Sequence, residues 1–257
     1  MQAQGIGWQT LFDTPGTLRR ACRTLHHIAS KGSWYIRRMN IRCESANGLA
    51  APGDIELLPS KAICVGRNYR AHAAELGHAL PTEPLLFMKP ASSLCAPGTS
   101  ILRPTEYERV DHEGELAIVI GKRARDIHPD EAYDYILGYT CANDITIRDL
   151  QKDGPWLRAK GMDTFLPIGP HIVTDLDPSN LRLQVRVNGV LRQDARTEQF
   201  IFSIPEILAY ITKDICLEPH DLVLTGTPAG VGNLMPGDEV EVEIEGIGVL
   251  RNPVDAR

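Results

Sequence analysis

Glu113 and Glu115 are the residues whose type and spacing point most directly to chemistry. Residues two apart in a strand project to the same side, so these two carboxylates would converge. They run directly into residues 116–120, an unbroken apolar run typical of a strand buried on both faces. Buried carboxylates need a compensating cation, which the pattern leaves as either a divalent metal ion or nearby Arg and Lys side chains.

A second acidic segment shows that this spacing alone is weak evidence. Residues 239–245 read EVEVEIE, the pattern of a strand with one face in solvent, so we interpret these glutamates as structural. Asp144, in a strand predicted over residues 139–146, could add a third carboxylate, although Asn143-Asp144 also fits an ordinary turn. Three carboxylates would suit Mg²⁺ or Mn²⁺ better than Zn²⁺. His112 would point to the opposite strand face, which indicates a structural or supporting role.

His72 and Glu75 form a candidate acid–base pair. They are three residues apart in a helix predicted over residues 67–76 and would share one face, where the carboxylate could hold the imidazole in one tautomer and increase its basicity. The same spacing fits a surface ion pair with no catalytic role. Lys89 and Lys160 are placed in polar loops bounded by Gly or Pro, where a cation could hold a substrate carboxylate or an enolate, or could simply be solvated.

The elements that must position these side chains are mostly strands. Strands are predicted over residues 61–66, 113–121, 139–146, 222–225 and 239–244, with a hairpin of residues 181–187 and 190 onward around Asn188-Gly189. Further helices are predicted over residues 129–137 and 205–213, and residues 81–104 are predicted to be irregular. Many strands and few helices, without strict alternation, predict an α+β fold that is predominantly β. The Gly-rich segment 225–232 lacks the Gly-Lys-Ser/Thr of a phosphate loop and would at most expose backbone N–H groups and Thr227 to a small anion.

Composition excludes several classes of function. The 257 residues carry a net charge of -6 with no basic run in the main body, which argues against nucleic acid as a partner. The six cysteines have no C-x-x-C spacing and are expected to be free thiols in the cytoplasm. No apolar stretch reaches the length of a membrane helix, and no secretory signal opens the chain.

The first 50 residues differ in charge from the rest, with seven Lys or Arg against two acids. Gly and Pro at residues 48–53 suggest a boundary, so we predict a basic extension of unknown role at 1–53 and a catalytic domain at 54–257. An Arg-rich, acid-poor leader also fits organellar import, which we weigh below a cytoplasmic location.

Six ordered motifs together resemble the fumarylacetoacetate hydrolase family over residues 61–249. They are GRNYRAHAAELG at 66–77, LLFMKP at 85–90, DHEGELAIVIGK at 111–122, GYTCANDITIRDLQ at 138–151, KGMDTFLPIGP at 160–170 and LTGTPAGVG at 224–232. Met162 is a departure, since many members have Phe after Lys-Gly.

This resemblance implies a mixed β-sandwich roll, a homodimer, and Mg²⁺ or Mn²⁺ held by carboxylates at Glu113, Glu115 and Asp144. It makes His72 and Glu75 the pair that activates water and Lys160 an electrostatic helper. Arg148, Gln151 and Thr227 would line the substrate pocket, Arg67 would lie in the segment bearing the pair, and we add Lys89 as a substrate-binding cation.

The implied activity is metal-dependent cleavage of the C–C bond of acylpyruvates such as fumarylpyruvate, giving pyruvate and an acid. A 2-oxo acid would chelate the metal, and a pyruvate enolate would depart. The same enolate serves the alternatives, which are decarboxylation of oxaloacetate and isomerisation of 2-hydroxyhepta-2,4-diene-1,7-dioate in aromatic catabolism. A more distant alternative is a non-catalytic binding protein stabilised by a metal.

Overall fold

Three β-sheets contain most of the regular structure in residues 39–47, 53–75, 77 and 79–257, which are the residues that the computed structural model of the protein describes. The strands are β1 (Met39–Ser45), β2 (Gly53–Leu57), β3 (Lys61–Gly66), β4 (Leu85–Pro90), β5 (Leu94–Cys95), β6 (Ile101–Arg103), β7 (Val110–His112), β8 (Gly114–Ile120), β9 (Ile136–Asn143), β10 (Thr146–Ile147), β11 (Leu166–Thr174), β12 (Arg182–Val187), β13 (Val190–Arg196), β14 (Leu222–Leu224), β15 (Gly232–Asn233), β16 (Glu239–Ile244) and β17 (Gly248–Ala256). The α-helices are α1 (Arg70–Glu75), α2 (Leu157–Lys160) and α3 (Ile204–Asp214), and 3-10 helices span Ala91–Ser93, Pro129–Tyr135, Arg148–Asp153 and Thr197–Gln199.

The largest sheet has nine strands in the order β2-β1-β11-β9-β8-β14-β3-β4, with β5 added beside β11. It is mixed, because β1 and β5 run parallel to β11 and β14 runs parallel to β3, whereas the other pairs are antiparallel. A five-stranded sheet, β13-β12-β16-β17-β6, packs against it, and a three-stranded sheet, β10-β7-β15, completes the fold. The predicted α+β, predominantly β class and the mixed β-sandwich roll are confirmed.

Strand β8 lies in the middle of the core and is buried on both faces, as its apolar run predicts. Leu116 and Ile118 pack into the cluster shared with the five-stranded sheet, whereas Ala117 and Val119 pack into a second cluster on the other face. Glu115 is in phase with Ala117, so the alternation that separates the two clusters also directs the acidic side chains away from the five-stranded sheet.

Gly114, between the two glutamates, faces the five-stranded sheet. A Cβ at this position would lie 2.2 Å from Val185 Cγ2 and 3.3 Å from Val242 Cγ1. The glycine of the Glu-Gly-Glu motif is therefore required by the packing of β12 and β16 against β8. The acidic strand β16 has the alternating burial expected of a strand with one wet face, so its structural interpretation is confirmed.

Three predicted elements differ from the structure. Residues 81–104 are not wholly irregular, because β4 pairs along its whole length with β3 at the edge of the sheet, where Pro90 is tolerated. The helix predicted at 129–137 is a 3-10 helix that ends at Tyr135. The strand predicted over 139–146 ends at Asn143, so Asp144 follows the strand and lies in the link to β10.

Two local predictions are confirmed by backbone geometry. Asn188 and Gly189 have φ values of 52° and 76° between β12 and β13, as a type I′ hairpin requires. Helix α3 begins after Ser203, which forms a reciprocal capping box with Glu206. Within the described ranges, no helix has the length and hydrophobicity of a membrane span.

The domain boundary predicted at residue 53 lies inside the main sheet. Strand β1 pairs with β11, placing Arg42 opposite His171, and with β2, so residues 39–45 belong to the body of the fold. Residues 48–52 and most of the basic charge of the predicted extension, at residues 19–38, lie outside the described residues.

Candidate active site

Three buried carboxylates meet where β8 begins and β9 ends. Glu113 links β7 to β8, Glu115 lies on β8, and Asp144 follows β9, the antiparallel neighbour of β8. The Glu113 N–H donates to Asn143 Oδ1 (2.9 Å), and the Asp144 N–H donates to the Glu113 carbonyl (2.8 Å). One oxygen of each carboxylate lies within 4.8 Å of the others, so the convergence predicted from the sequence is present.

Three buried or nearly buried cations surround two of these carboxylates. Lys160 Nζ donates to Glu113 Oε2 (2.7 Å) and Asp144 Oδ2 (2.5 Å), Lys89 Nζ donates to Asp144 Oδ1 (2.5 Å), and Arg148 Nη2 donates to Glu113 Oε1 (2.5 Å). Burial would raise the pKa of Glu113, but Lys160 and Arg148 outweigh it and hold that pKa well below its usual range. Burial would lower the pKa of Lys160, but Asp144 and Glu113 outweigh it and raise that pKa.

Glu115 is different, because it forms no ion pair within the part of the chain that the structure describes. Its Oε2 accepts one hydrogen bond, from the Gly226 N–H (2.6 Å). Burial and the neighbouring charges of Asp144 and Glu113 raise its pKa well above the usual value. A buried carboxylate without a cation, beside two others, is the donor set that a hard divalent ion such as Mg²⁺ or Mn²⁺ fits.

His72 and Glu75 lie together on α1. His72 Nδ1 donates to Glu75 Oε2 (3.1 Å), and Glu75 Oε1 accepts from the Gly230 N–H (3.0 Å). Because a carboxylate can only accept, the proton of the neutral imidazole is on Nδ1 and the lone pair is on Nε2. His72 is 4% exposed and lines the cavity beside the carboxylates, which is not the position of a surface ion pair.

The carboxylates and the His–Glu pair share a cavity of about 430 Å³. Its lining is rich in cations and also contains an aromatic wall in which Phe87 packs edge-on against Trp156. The polar lining residues are Arg67, His72, Arg109, Glu113, Glu115, Asp144, Arg148, Gln151, Lys152, Lys160 and Thr227. Five of these residues are Arg or Lys and three are carboxylates, so the cavity is suited to an anionic ligand.

The predicted substrate residues Arg67, Arg148, Gln151 and Thr227 all line this cavity. Arg148 is held from both sides, since its Nε donates to Asp111 Oδ2 (2.7 Å) and its Nη1 to Gln151 Oε1 (2.9 Å). The Thr227 hydroxyl donates to the Gly114 carbonyl (2.9 Å), so its proton is already used within the protein.

Both lysines are placed differently from the prediction. Lys89 lies on β4 with no exposed surface and donates to Asp144 and to the Ile145 carbonyl (3.1 Å). The prediction that Lys89 contacts substrate directly is therefore wrong. Lys89 instead contacts Asp144 from the side away from the cavity and is not one of the residues that line it. Lys160 is the last residue of α2 and not part of a loop, but it does face the cavity.

Two residues of the centre were missed in the sequence. Asp111 is buried and binds both Arg148 and Arg109, and its position two residues before Glu113 continues the alternation of acids that could have revealed it. Gln193 is buried behind Gly114 and Thr227, and no local pattern distinguishes it from a solvated glutamine in a hairpin strand.

The fold and this centre together define an enzyme built around a carboxylate cluster and a His–Glu pair. Residues 61–255 match the family model described as fumarylacetoacetate (FAA) hydrolase C-terminal, and the chain therefore belongs to the fumarylacetoacetate hydrolase family. The resemblance inferred from the six motifs is confirmed. Members of this family include hydrolases, isomerases and tautomerases, so the alternative of a non-catalytic binding protein is not supported.

Three similar proteins illustrate this range of activities. An oxaloacetate tautomerase, described as mitochondrial, from Xenopus laevis is 44% identical over 91% of this chain and 78% of its own length. The structure of 2-hydroxyhepta-2,4-diene-1,7-dioate isomerase from Mycobacterium marinum has 47% identity and a TM-score of 0.74, covering 79% of this chain and 77% of that one. Fumarylpyruvate hydrolase from Pseudomonas aeruginosa, in complex with Mn²⁺ and pyruvate, has 30% identity and a TM-score of 0.77, covering 88% of this chain and 100% of that one.

The match to the Xenopus protein bears on the N-terminal region. It covers 91% of this chain, whereas residues 54–257 are only 204 of the 257. Part of the predicted basic extension is therefore similar in sequence to that relative.

Proposed function

We propose that this enzyme interconverts the keto and enol forms of a 2-oxo dicarboxylate, of which oxaloacetate is the smallest, by proton transfer through His72. The observation that carries the proposal is that the His72–Glu75 pair and a cation-lined carboxylate cluster face one cavity. The identities support tautomerisation above hydrolysis of fumarylpyruvate, because they are higher to the tautomerase and the isomerase than to fumarylpyruvate hydrolase.

The cavity offers charges for both ends of a dicarboxylate. Arg67 and Lys152 line it without an ion pair to any described residue, and Arg148 presents a guanidinium oriented by Asp111 and Gln151. Guanidinium groups bind carboxylates through paired hydrogen bonds, which fixes the orientation of the substrate as well as its affinity. The aromatic wall limits the space beside the carbon chain.

Proton transfer then needs one base and one stabilised oxygen. His72 Nε2 takes a proton from the carbon next to the keto group, and Glu75 stabilises the imidazolium that forms. The C–H electron pair forms the new C=C bond, the π pair of the C=O bond moves to the keto oxygen, and the Lys160 ammonium stabilises the negative charge that develops there. Return of the proton to that oxygen completes the enol. A divalent cation held by Glu113, Glu115 and Asp144 would supply Lewis acidity toward the keto oxygen.

A second candidate is the hydrolysis of acylpyruvates, which the sequence indicates first. The same pair can deprotonate a water molecule, and attack of that water on the distal carbonyl would release an acid and a pyruvate enolate. The observation in its favour is the intact His72–Glu75 pair together with the similarity to fumarylpyruvate hydrolase. Loss of CO₂ from oxaloacetate would proceed through the same enolate.

The test is turnover by metal-stripped protein with and without Mg²⁺ or Mn²⁺. Oxaloacetate, fumarylpyruvate and 2-hydroxyhepta-2,4-diene-1,7-dioate would be supplied separately, and tautomer, pyruvate and CO₂ would each be measured. We expect metal-dependent tautomer formation that His72→Ala reduces by about 10²-fold or more. Pyruvate with an equimolar acid, lost in the same variant, would transfer the assignment to hydrolysis. Release of CO₂ alone would transfer it to decarboxylation.

Two further expectations belong to this proposal. We propose that the enzyme is a homodimer, as the family resemblance implies, and that it works in the cytoplasm. Light scattering on purified protein tests the first, and subcellular fractionation tests the second.

A further inference from the structure

Gln193 connects the five-stranded sheet to the active centre. It lies on β13 with no exposed surface. Its Oε1 accepts from the Gly114 N–H (3.0 Å) and from His112 Nδ1 (3.3 Å), and its Nε2 donates to Thr227 Oγ1 (2.8 Å) and to the Pro228 carbonyl (2.7 Å). All four of these bonds are to groups of the protein, and they use the full hydrogen-bonding capacity of the side-chain amide.

The acceptor side of the amide acts on the carboxylate cluster. Gly114 lies between Glu113 and Glu115, so the hydrogen bond from its N–H to Gln193 fixes the backbone that carries both glutamate side chains. The Thr227 hydroxyl, which Gln193 holds, donates to the Gly114 carbonyl and fixes the other side of the same residue.

The donor side acts on the Gly-rich segment after β14. Within that segment the Gly226 N–H holds Glu115 and the Gly230 N–H holds Glu75, the partner of His72. Thr227 and Pro228, the two residues that Gln193 binds, lie between these N–H groups. The Gln193 side-chain amide is therefore linked through the backbone both to the carboxylate cluster and to the His72–Glu75 pair.

The contacts around Gln193 leave little room for adjustment. A Cβ on Gly230 would lie 2.0 Å from the Arg192 carbonyl, so the backbone of β13 presses directly on the Gly-rich segment. A Cβ on Gly114 would lie 3.5 Å from Gln193 Oε1. Loss of the amide would not be compensated by a neighbouring polar side chain without moving one of these backbones.

We propose that Gln193 is a positioning residue that sets the spacing between the carboxylate cluster and the His72–Glu75 base. It touches neither substrate nor metal and acts through Gly114 on one side and through the segment from Gly226 to Gly230 on the other. Supporting residues of metal sites commonly affect both affinity and rate, and misplacement of reacting groups by about 1 Å can cost about 10²-fold in rate. The inference rests on the metal site and the base of the proposed function.

The test compares Gln193→Met with a matched control, Gln184→Met. Gln184 is also a buried glutamine, on the neighbouring strand β12, but its Oε1 accepts from Arg186 and it has no bond to the active centre. For each protein, Mn²⁺ binding is measured by calorimetry, kcat and KM are measured with the best substrate at saturating Mn²⁺, and the melting temperature is recorded.

For Gln193→Met we expect Mn²⁺ affinity to fall about tenfold or more. We expect kcat at saturating Mn²⁺ to fall about 10–100-fold with little change in KM, because the base is displaced while the substrate-binding cations are not. Gln184→Met should leave Mn²⁺ affinity and kcat unchanged even if its melting temperature falls. A Gln193→Met protein with unchanged Mn²⁺ affinity and kcat, whatever its melting temperature, would overturn the inference.

If Gln193→Met does not fold, Gln193→Asn keeps the amide but shortens its reach, and the same losses of Mn²⁺ affinity and kcat are expected. Unchanged values in this variant would also reject the role of Gln193. The two levels of the proposal remain distinguishable, because a parent protein that does not bind Mn²⁺ rejects the metal site itself. If the parent binds Mn²⁺ and the Gln193 variants bind it with equal affinity, only the positioning role is rejected.

Discussion

Glu75 determines which nitrogen of His72 carries the proton. We expect Glu75→Gln to reverse this arrangement, since the new amide oxygen can still accept from Gly230 while the amide nitrogen faces Nδ1 as a donor. The imidazole would then carry its proton on Nε2 and could not act as the base. We expect kcat to fall about 10²–10⁴-fold, measured by tautomer formation at saturating Mn²⁺.

Mn²⁺ binding by calorimetry is the control for this variant, because Glu75 is not among the three clustered carboxylates. Unchanged Mn²⁺ affinity with a low kcat would locate the defect in proton transfer. A kcat near that of the parent would show that the tautomer of His72 does not limit turnover.

Gly114 is the residue at which packing and the active centre meet. We expect Gly114→Ala to lower the free energy of unfolding by about 1–3 kcal/mol, because its Cβ would lie 2.2 Å from Val185 Cγ2. Chemical denaturation measures this change. Removing the obstructing methyl groups in Gly114→Ala/Val185→Ala should give less than the sum of the two single losses, and strict additivity would contradict the steric explanation.

Asp221 joins the parallel strands β3 and β14 at their N-terminal ends. It accepts hydrogen bonds from the backbone N–H groups of Ser60, Lys61 and Glu218, from the Ser60 hydroxyl and from Lys61 Nζ. Burial would raise its pKa, but the bonds from Glu218 and Lys61 outweigh it and lower the pKa. The Asp221 carboxylate therefore links β3, which precedes α1, to β14, which precedes the Gly-rich segment.

A lowered folded-state pKa means that the stabilising contribution of Asp221 is present above the unfolded-state value, about 3.9, and is lost as pH falls through the folded-state value. We expect Asp221→Asn to lower the free energy of unfolding by about 1–3 kcal/mol at pH 7. The difference from the parent should shrink in urea titrations below about pH 4. Asp255→Asn, at an exposed position on β17 with no ion pair to a described residue, should show neither effect. A difference for Asp221→Asn that does not depend on pH would mean that its charge is irrelevant.

Elements with a strong local signal were predictable, and elements made by long-range pairing were not. The buried strand β8 and the hairpin at Asn188-Gly189 follow from an apolar run and from turn chemistry. Strand β4 was missed because its proline-rich surroundings suggest a loop, and only its pairing with β3 makes it a strand. That error also misplaced Lys89, which is buried behind Asp144 and not exposed to substrate.

The residues of the active centre divide in the same way into those predictable from local sequence and those brought together by long-range packing. Glu113 and Glu115 converge for a reason local to one strand, and His72 and Glu75 meet for a reason local to one helix. Gln193 is 79 residues from Gly114 and 34 residues from Thr227, so its contacts exist only because the two sheets pack together. No spacing in the sequence could have indicated it.

Across the whole active centre, cations outnumber carboxylates among the described residues before any ligand binds. Asp111, Glu113 and Asp144 form ion pairs with Lys89, Arg109, Arg148 and Lys160, whereas Glu115 forms none, and Arg67 and Lys152 line the cavity as two further cations. A divalent cation would add two positive charges, and a dicarboxylate would add two negative charges. Metal and substrate are therefore expected to favour each other's binding, and the effect must be reciprocal.

Glu115→Gln tests the metal side of this coupling, because Glu115 is the one clustered carboxylate without an ion pair among the described residues. Without metal the variant should be more stable than the parent at pH 7, because the raised pKa of Glu115 means that folding costs either the desolvation of its charge or the uptake of a proton, and an amide requires neither. In the parent, free Mn²⁺ at 100 times its dissociation constant should add about 2.7 kcal/mol to the free energy of unfolding, and in the variant most of that gain should disappear. Denaturant titration with and without Mn²⁺ measures both effects. Glu239→Gln, at an exposed position on the acidic strand β16, should keep the full gain, and an equal loss in both variants would show that Mn²⁺ binds elsewhere.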